Sequence, residues 1–167
     1  MTQGPDELEA GWELLRRADG AAVAFFTKRL QDDPGDPFAH FGLATALGMS
    51  GRDPEAIPHL EAALEIGLPP RLEGGARLQL ANTLRLVGRV DEAIDLHRQI
   101  AVSHPSNTND LLLAVALRDA GRPDEGLATA MRAVLVASND EMLEAFRELF
   151  DTVIAGLEGV LPPRPRP

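Results

Sequence analysis

Four histidines, His40, His59, His97 and His104, are the obvious side chains in this 167-residue sequence for general base catalysis or metal ligation. None belongs to a HExxH or similarly paired motif. His97 and His104 are seven residues apart and could share one helix face, but His104 lies beside Pro105, where that helix should be ending. All four read as ordinary surface or interhelix histidines, and no metal is expected. The acidic pairs Asp32-Asp33, Asp91-Glu92 and Asp124-Glu125 have the chemistry of catalytic carboxylates or calcium ligands. They fall at turns and helix starts, where the helix dipole favours solvated acids, and no loop has the regular oxygen-ligand spacing of a calcium site. With no cysteine there is no disulfide framework, redox CxxC pair, thiol nucleophile or thiolate-held metal. The GxxxxGK[ST] phosphate loop is absent, and Gly74-Gly75 lies in a helical stretch. The reading is no catalytic residue, no cofactor, no metal and no enzyme.

The elements that would have to position any site form a repeat. One heptapeptide occurs three times: Gly51-Arg-Asp-Pro-Glu-Ala-Ile57, Gly88-Arg-Val-Asp-Glu-Ala-Ile94 and Gly121-Arg-Pro-Asp-Glu-Gly-Leu127, at spacings of 37 and 33 residues. Apolar residues at helical period flank each copy, as with Leu78, Ala81, Leu84 and Val87 before the second and Ala93, Ile94, Leu96 and Ile100 after it. The unit is therefore helix, tight turn, helix. Glycine ends the first helix by accepting a left-handed conformation, and Asp53, Asp91 or Asp124 complements the dipole of the second. Pro54 and Pro123 suit a first helical turn, whereas Pro58 sits about one turn in and predicts a bend or a shortened hydrogen-bond ladder. Ala44, Ala81 and Ala114 lie seven residues before the turn glycine, and Ala56, Ala93 and Gly126 five after it. Minimal side chains at both places let the two helices approach closely, with Leu47, Leu84 and Leu117 filling the space beside them.

These features resemble the tetratricopeptide repeat family, whose unit has about 34 residues, a small residue on each helix, a Gly-x-x-x-x-Ala turn and often a terminal proline, here Pro105. The stretch Gly67-Leu-Pro-Pro-Arg71 with Leu78-Gln-Leu-Ala-Asn-Thr-Leu-Arg-Leu-Val-Gly88 is similar to small bacterial members of no assigned activity. The resemblance implies an all-α solenoid, a right-handed superhelix of about four helix hairpins plus a C-terminal capping helix. One domain over residues 1–160 divides into a degenerate first repeat 6–36, repeats 37–70, 71–106 and 107–138, and a capping helix 139–159. In the first repeat Trp12, Leu14 and Leu15 mark one helix and Ala22, Phe25, Phe26 and Leu30 the other, joined at Asp19-Gly20. Met142, Ala145, Phe146, Leu149, Val153 and Leu157, at helical spacing behind Asn139 or Asp140 as cap, predict a ninth helix that covers the exposed face of the last repeat. Residues 161–167, Leu-Pro-Pro-Arg-Pro-Arg-Pro, read as a disordered, solvated tail, although such a segment resembles ligands of domains that recognise extended proline-rich chains.

Composition narrows the partners. A net charge of −10, spread along the chain as −4, −2 and −4 for residues 1–37, 38–104 and 105–167, disfavours nucleic acid. No apolar run reaches the ~20 residues of a membrane span, and the N-terminus lacks a signal-peptide pattern, so the expectation is a soluble cytoplasmic protein. The family's groove positions, carried onto this chain, give Phe38, Phe41, Thr45 and Met49 from the second repeat, Leu78, Gln79, Asn82 and Arg85 from the third, and Leu111, Leu112, Val115 and Arg118 from the fourth. This set is apolar, and it matches poorly the Lys-, Arg- and Asn-rich groove of members that clamp a terminal carboxylate. Phe38 and Phe41 either meet a ligand or pack against Phe25 and Phe26. The helix around Leu111-Leu-Leu-Ala-Val-Ala-Leu117 is apolar all round and implies a cover: the ninth helix folding back, a second copy of the chain, or a bound peptide helix. The expected function is a non-enzymatic protein-interaction module that holds a partner peptide or helix in its concave groove; the alternative is a self-associating homodimer joined through the fourth repeat or terminal helix.

Overall fold

The computed structural model describes residues 5–17 and 20–159, and side-chain packing from residue 9 onward. Asp19 and the tail 161–167 lie outside the described residues. Among those described there are ten α-helices and no strand, which confirms the all-α repeat architecture. The chain divides into two compact units, Met1–Val87 and Gly88–Pro167.

The first unit holds α1 (Pro5–Arg16), α2 (Ala21–Asp32), α3 (Pro37–Met49), α4 (Asp53–Ile66) and α5 (Pro70–Leu86). The second holds α6 (Val90–Ser103), α7 (Asn107–Asp119), α8 (Pro123–Ala137), the short α9 (Glu141–Ala145) and α10 (Arg147–Leu157). The turn glycines behave as their chemistry requires: φ is +70° at Gly51, +85° at Gly88 and +76° at Gly121, which only glycine adopts without strain. After α3, Gly51 N donates to Gly48 O and Arg52 N to Leu47 O; after α7, Gly121 N donates to Arg118 O and Arg122 N to Leu117 O. The arginine after each glycine then forks onto a glutamate in the next helix, Arg52 on Glu55, Arg89 on Glu92 and Arg122 on Glu125. These pairs are exposed and add little stability, but they repeat the same turn three times.

Small residues set the helix spacing. Ala44, Ala56, Ala81 and Ala93 are completely buried. At Gly126 a Cβ would stand 2.7 Å from the Ala114 carbonyl oxygen, so α8 approaches α7 too closely even for alanine. The first unit also contains an aromatic cluster: Phe26 is fully buried, edge-on to Phe25 at 5.2 Å and 5.8 Å from Trp12, and the close approach of Gly11 and Gly42 leaves room for its ring. At the start of α3, Asp36 Oδ1 accepts from Phe38 N and Ala39 N, and its Oδ2 takes the Arg29 guanidinium at 2.5 Å, a nearly buried ion pair that anchors the cap. In the second unit the core joins α6 to α7 through Ile94, Leu113, Ala116 and Leu117, and a buried polar pair sits beside it. His97 Nδ1–H donates to Asn109 Oδ1, and Asn109 Nδ2 donates to the His97 carbonyl.

Helix α4 runs on through Pro58, which faces solvent; as expected the ladder is shortened, since the ring costs the Pro54 carbonyl its intrahelical donor. Three expectations about the terminal segment are altered. The segment expected as one ninth helix is stepped into α9 and α10 at Phe146, although no Pro or Gly marks the step. It also packs with a different face from the one anticipated. Leu143, Phe150, Ile154 and Leu157 close on Ala128 and Leu135 of α8, whereas Met142, Phe146, Leu149 and Val153 remain exposed. The reason is that α9–α10 carries two apolar stripes side by side, and helical periodicity alone does not rank them. Finally, the helix packs on α8, so it does not cover α7, whose Leu111 stays half exposed.

Candidate functional site

The candidate groove residues occupy leading helices, the first of each hairpin, and each unit presents its own face. In the first unit these are α3 and α5. Thr45 Oγ1 donates to the Phe41 carbonyl at 2.9 Å and lies 3.1 Å from Gln79 Oε1, which ties α3 to α5 at mid-height. One turn further on, Arg85 Nε and Nη2 reach Asn82 Oδ1 at 3.2 and 3.0 Å. Asn82 therefore already has an acceptor oxygen engaged, while its amide NH₂ group keeps two donors. Met49 and Leu86 stand exposed at the same offset, two residues before their turn glycines.

Phe38 and Phe41 are half-buried against the cluster of Ala63, Leu68 and Ala76, with Leu72 beside them. The Phe41 ring also packs 5.7 Å from Trp12 at a 58° tilt. Its cover is thus Trp12 of α1 rather than the Phe25–Phe26 pair. Trp12 joins the Phe41 surface from a helix read only as part of a weak repeat; the sole signal in the sequence was a lone tryptophan at a helical position. Leu78 is half-buried on α5.

In the second unit the face belongs to α7. Leu111 is 46% exposed, Leu112 and Val115 are half-buried, and Arg118 is exposed with its guanidinium on Asp119 Oδ1 at 2.7 Å. Leu113, Ala116 and Leu117 are used inside the core. The all-round apolar character of this helix therefore splits into a buried side toward α6 and α8 and a side left bare.

The histidines gather differently from any local motif. His40 on α3 and His59 on α4 meet with their Nδ1 atoms 2.9 Å apart, and His40 Nε2 lies 3.1 Å from the Pro34 carbonyl. A carbonyl only accepts, so His40 carries its proton on Nε2, its Nδ1 is the acceptor, and His59 Nδ1–H donates. Burial, together with the His40 ring, holds His59 below the ordinary imidazole range, and Glu55 opposes that shift. His59 lines a cavity of about 360 Å³ between α2, α3 and α4, floored by Leu30, Leu43 and Leu47 and edged by Thr27, Gln31, Arg52 and Glu55. Among the described residues no group of three or more histidine, aspartate or glutamate side chains is placed to hold a metal ion. His97 is buried in its pair with Asn109, and His104 caps the end of α6 beside Ser103.

Paired helices joined by left-handed glycine turns, with small residues at fixed offsets and leading-helix faces left uncovered, define a helical-hairpin repeat scaffold. The chain matches the family model described as tetratrico peptide repeat over residues 37–156, and it belongs to that family, one of non-enzymatic protein-interaction scaffolds. It is also similar to DnaJ homolog subfamily C member 3 of Bos taurus, with 30% identity over 104 residues, 62% of this chain. That alignment spans 20% of the bovine protein's length. No helix among the described residues is long and apolar enough to cross a membrane.

Proposed function

We propose that this chain binds a partner polypeptide along its leading-helix faces, with the cytoplasm as its compartment. The observation that carries the reading is bare apolar surface on leading helices whose opposite sides are packed: Met49 and Leu86 at one offset in the first unit and Leu111 at another in the second, all about half exposed. In the first unit Gln79, Asn82 and Arg85 stand beside that surface, so a peptide lying there gains hydrogen bonds that fix its register, while Met49, Leu78, Leu86 and the edge of Phe41 supply burial. In the second unit Leu111 and Val115 supply burial and Arg118 the polar rim.

The test is recovery of partners from a native extract by three forms of the protein. Wild type should retain a partner that Asn82→Ala with Leu111→Ser loses. A control with Val102→Ser and Val136→Ser, exposed apolar residues of the trailing helices α6 and α8, should retain it. Equal recovery by the first variant, with helicity unchanged, would remove the leading-helix faces from consideration. Phe41 is left intact in these variants, because truncating it would also open the Trp12 contact.

A further inference from the structure

Helices α3, α5 and α7 each end two residues before a left-handed glycine, Gly51, Gly88 and Gly121. Helix α10 does the same, ending at Leu157 before Gly159, whose φ is +72° and whose N–H donates to Gly156 O just as Gly51 donates to Gly48 and Gly121 to Arg118. A second contact fixes the register. In the fourth repeat the side chain twelve residues before the glycine, Asn109, donates to the carbonyl twenty-four before it, that of His97. Counting from Gly159, the side chain at twelve is Arg147 and the carbonyl at twenty-four is that of Leu135, and Arg147 Nη2 points at it from 3.5 Å. Helix α10 also lies on α8 as α7 lies on α6. The terminal helix is therefore a fifth leading helix in phase with the rest.

That phase gives each face of α10 a meaning. Three positions that α7 buries, four, seven and eight before the glycine, are here Ala155, Thr152 and Asp151, so two of the three are polar. The groove positions, ten and six before the glycine, are Leu111 and Val115 on α7 and Leu149 and Val153 on α10. Leu149 is 52% and Val153 43% exposed, and Phe146 precedes them at 50%. A cap with no partner has no reason to keep three large apolar residues in water on its groove side while positions that α7 buries have turned polar.

The chemistry of that strip selects its occupant. An extended peptide must satisfy its own backbone N–H and C=O groups, and the first unit offers Asn82 and Gln79 for that purpose, whereas Leu111, Val115, Leu149 and Val153 offer no donor or acceptor. A helix bonds its backbone internally and needs only an apolar surface. α9 and α10 with their caps carry six acids, Asp140, Glu141, Glu144, Glu148, Asp151 and Glu158, against the single base Arg147; Glu144 holds Arg147, Glu158 holds Arg132 of α8, and Arg118 of the α7 rim lies on Asp119, so the surroundings stay acidic. A second copy would bring like charge to like charge; a helix with Lys or Arg beside its apolar stripe would not. Resting on the leading-helix reading above, we infer that α10 prolongs the α7 face into one apolar strip that receives a basic amphipathic helix of a partner.

The probe is a labelled Leu/Lys peptide helix of about four turns, followed by anisotropy, with a Leu/Glu peptide of the same apolar stripe as control. Wild type should bind the Lys peptide, more weakly as salt rises, and the Glu peptide at least about tenfold less tightly. Leu149→Ser with Val153→Ser should raise the Kd at least about tenfold, as should Leu111→Ser with Val115→Ser. If only the α7 variant loses affinity, the leading-helix reading stands and the α10 extension falls. If neither variant loses it, both fall. Equal binding of the two peptides overturns the basic class, and a wild-type dimer that the α10 variant converts to monomer assigns the strip to a second copy instead. As a readout free of the double variants, Val153→Cys creates the sole cysteine of the chain; an environment-sensitive dye there should shift to the blue on adding the Lys peptide, and an unchanged spectrum overturns the proposal.

Discussion

Gly42→Ala examines the tightest packing in the first unit. A methyl there would stand 2.6 Å from Phe26 Cδ1 and nearer still to Cε1 and Cζ, while Gly11 closes in on the same ring tip, its Cβ position 2.7 Å from Cζ. Phe26 is fully buried, so the ring has no open side into which to move. Where space is free, replacing a helical glycine by alanine adds about 1 kcal/mol of stability. Overpacking costs about 1–3 kcal/mol, and three ring carbons inside contact distance place this site at the upper end, leaving a net loss of about 2 kcal/mol. The assay is urea unfolding followed by Trp12 fluorescence, since Trp12 is the sole tryptophan and lies 5.8 Å from Phe26. With an m-value of about 2 kcal/mol/M the midpoint should fall by about 1 M. Gly75→Ala is the matched control: nothing lies within 4 Å of its Cβ position on α5, and it should gain about 0.5–1 kcal/mol. Adding Phe26→Leu should relieve the clash, so that the double variant loses less than the two single losses together. A neutral or stabilising Gly42→Ala, or strict additivity with Phe26→Leu, would refute the steric argument.

Asp36→Ala removes the α3 cap and strands the nearly buried Arg29, so a loss of about 3–5 kcal/mol is expected; Asp36→Asn keeps the cap oxygen and should lose less, and equal losses in urea unfolding would count against the split between cap and ion pair. Asn109→Ala deprives the buried His97 Nδ1–H of its acceptor and should cost about 1–3 kcal/mol, read as a lower Tm, whereas a shift within error would show that the pair is dispensable. Because His59 takes up its proton less readily when folded than when unfolded, its contribution to stability is complete above the unfolded value of about 6.5 and is lost as pH falls from there through the lower folded value. Stability should therefore drop on acidification in that window, less steeply in His59→Gln, and an identical slope in both proteins would exclude the His40–His59 pair as its source.

Periodicity and turn chemistry made the hairpins legible in the sequence. Glycine is the residue that relaxes at positive φ, and Ala44, Ala56, Ala81 and Ala93 permit close helix approach whatever the context, so three copies of one heptapeptide determined where helices start, stop and turn. Those are local properties, set by bonded geometry and side-chain volume within a few residues. What only the tertiary structure decided is which of two adjacent apolar stripes on α9–α10 is buried, that Trp12 rather than Phe25 covers Phe41, and that His40 and His59 meet across a hairpin although nineteen residues separate them. A single helix carries no information about which of its faces a neighbour will occupy. That choice depends on the phase in which α10 lands on α8, and the contact of Arg147 with the Leu135 carbonyl that marks this phase exists only once the chain has folded.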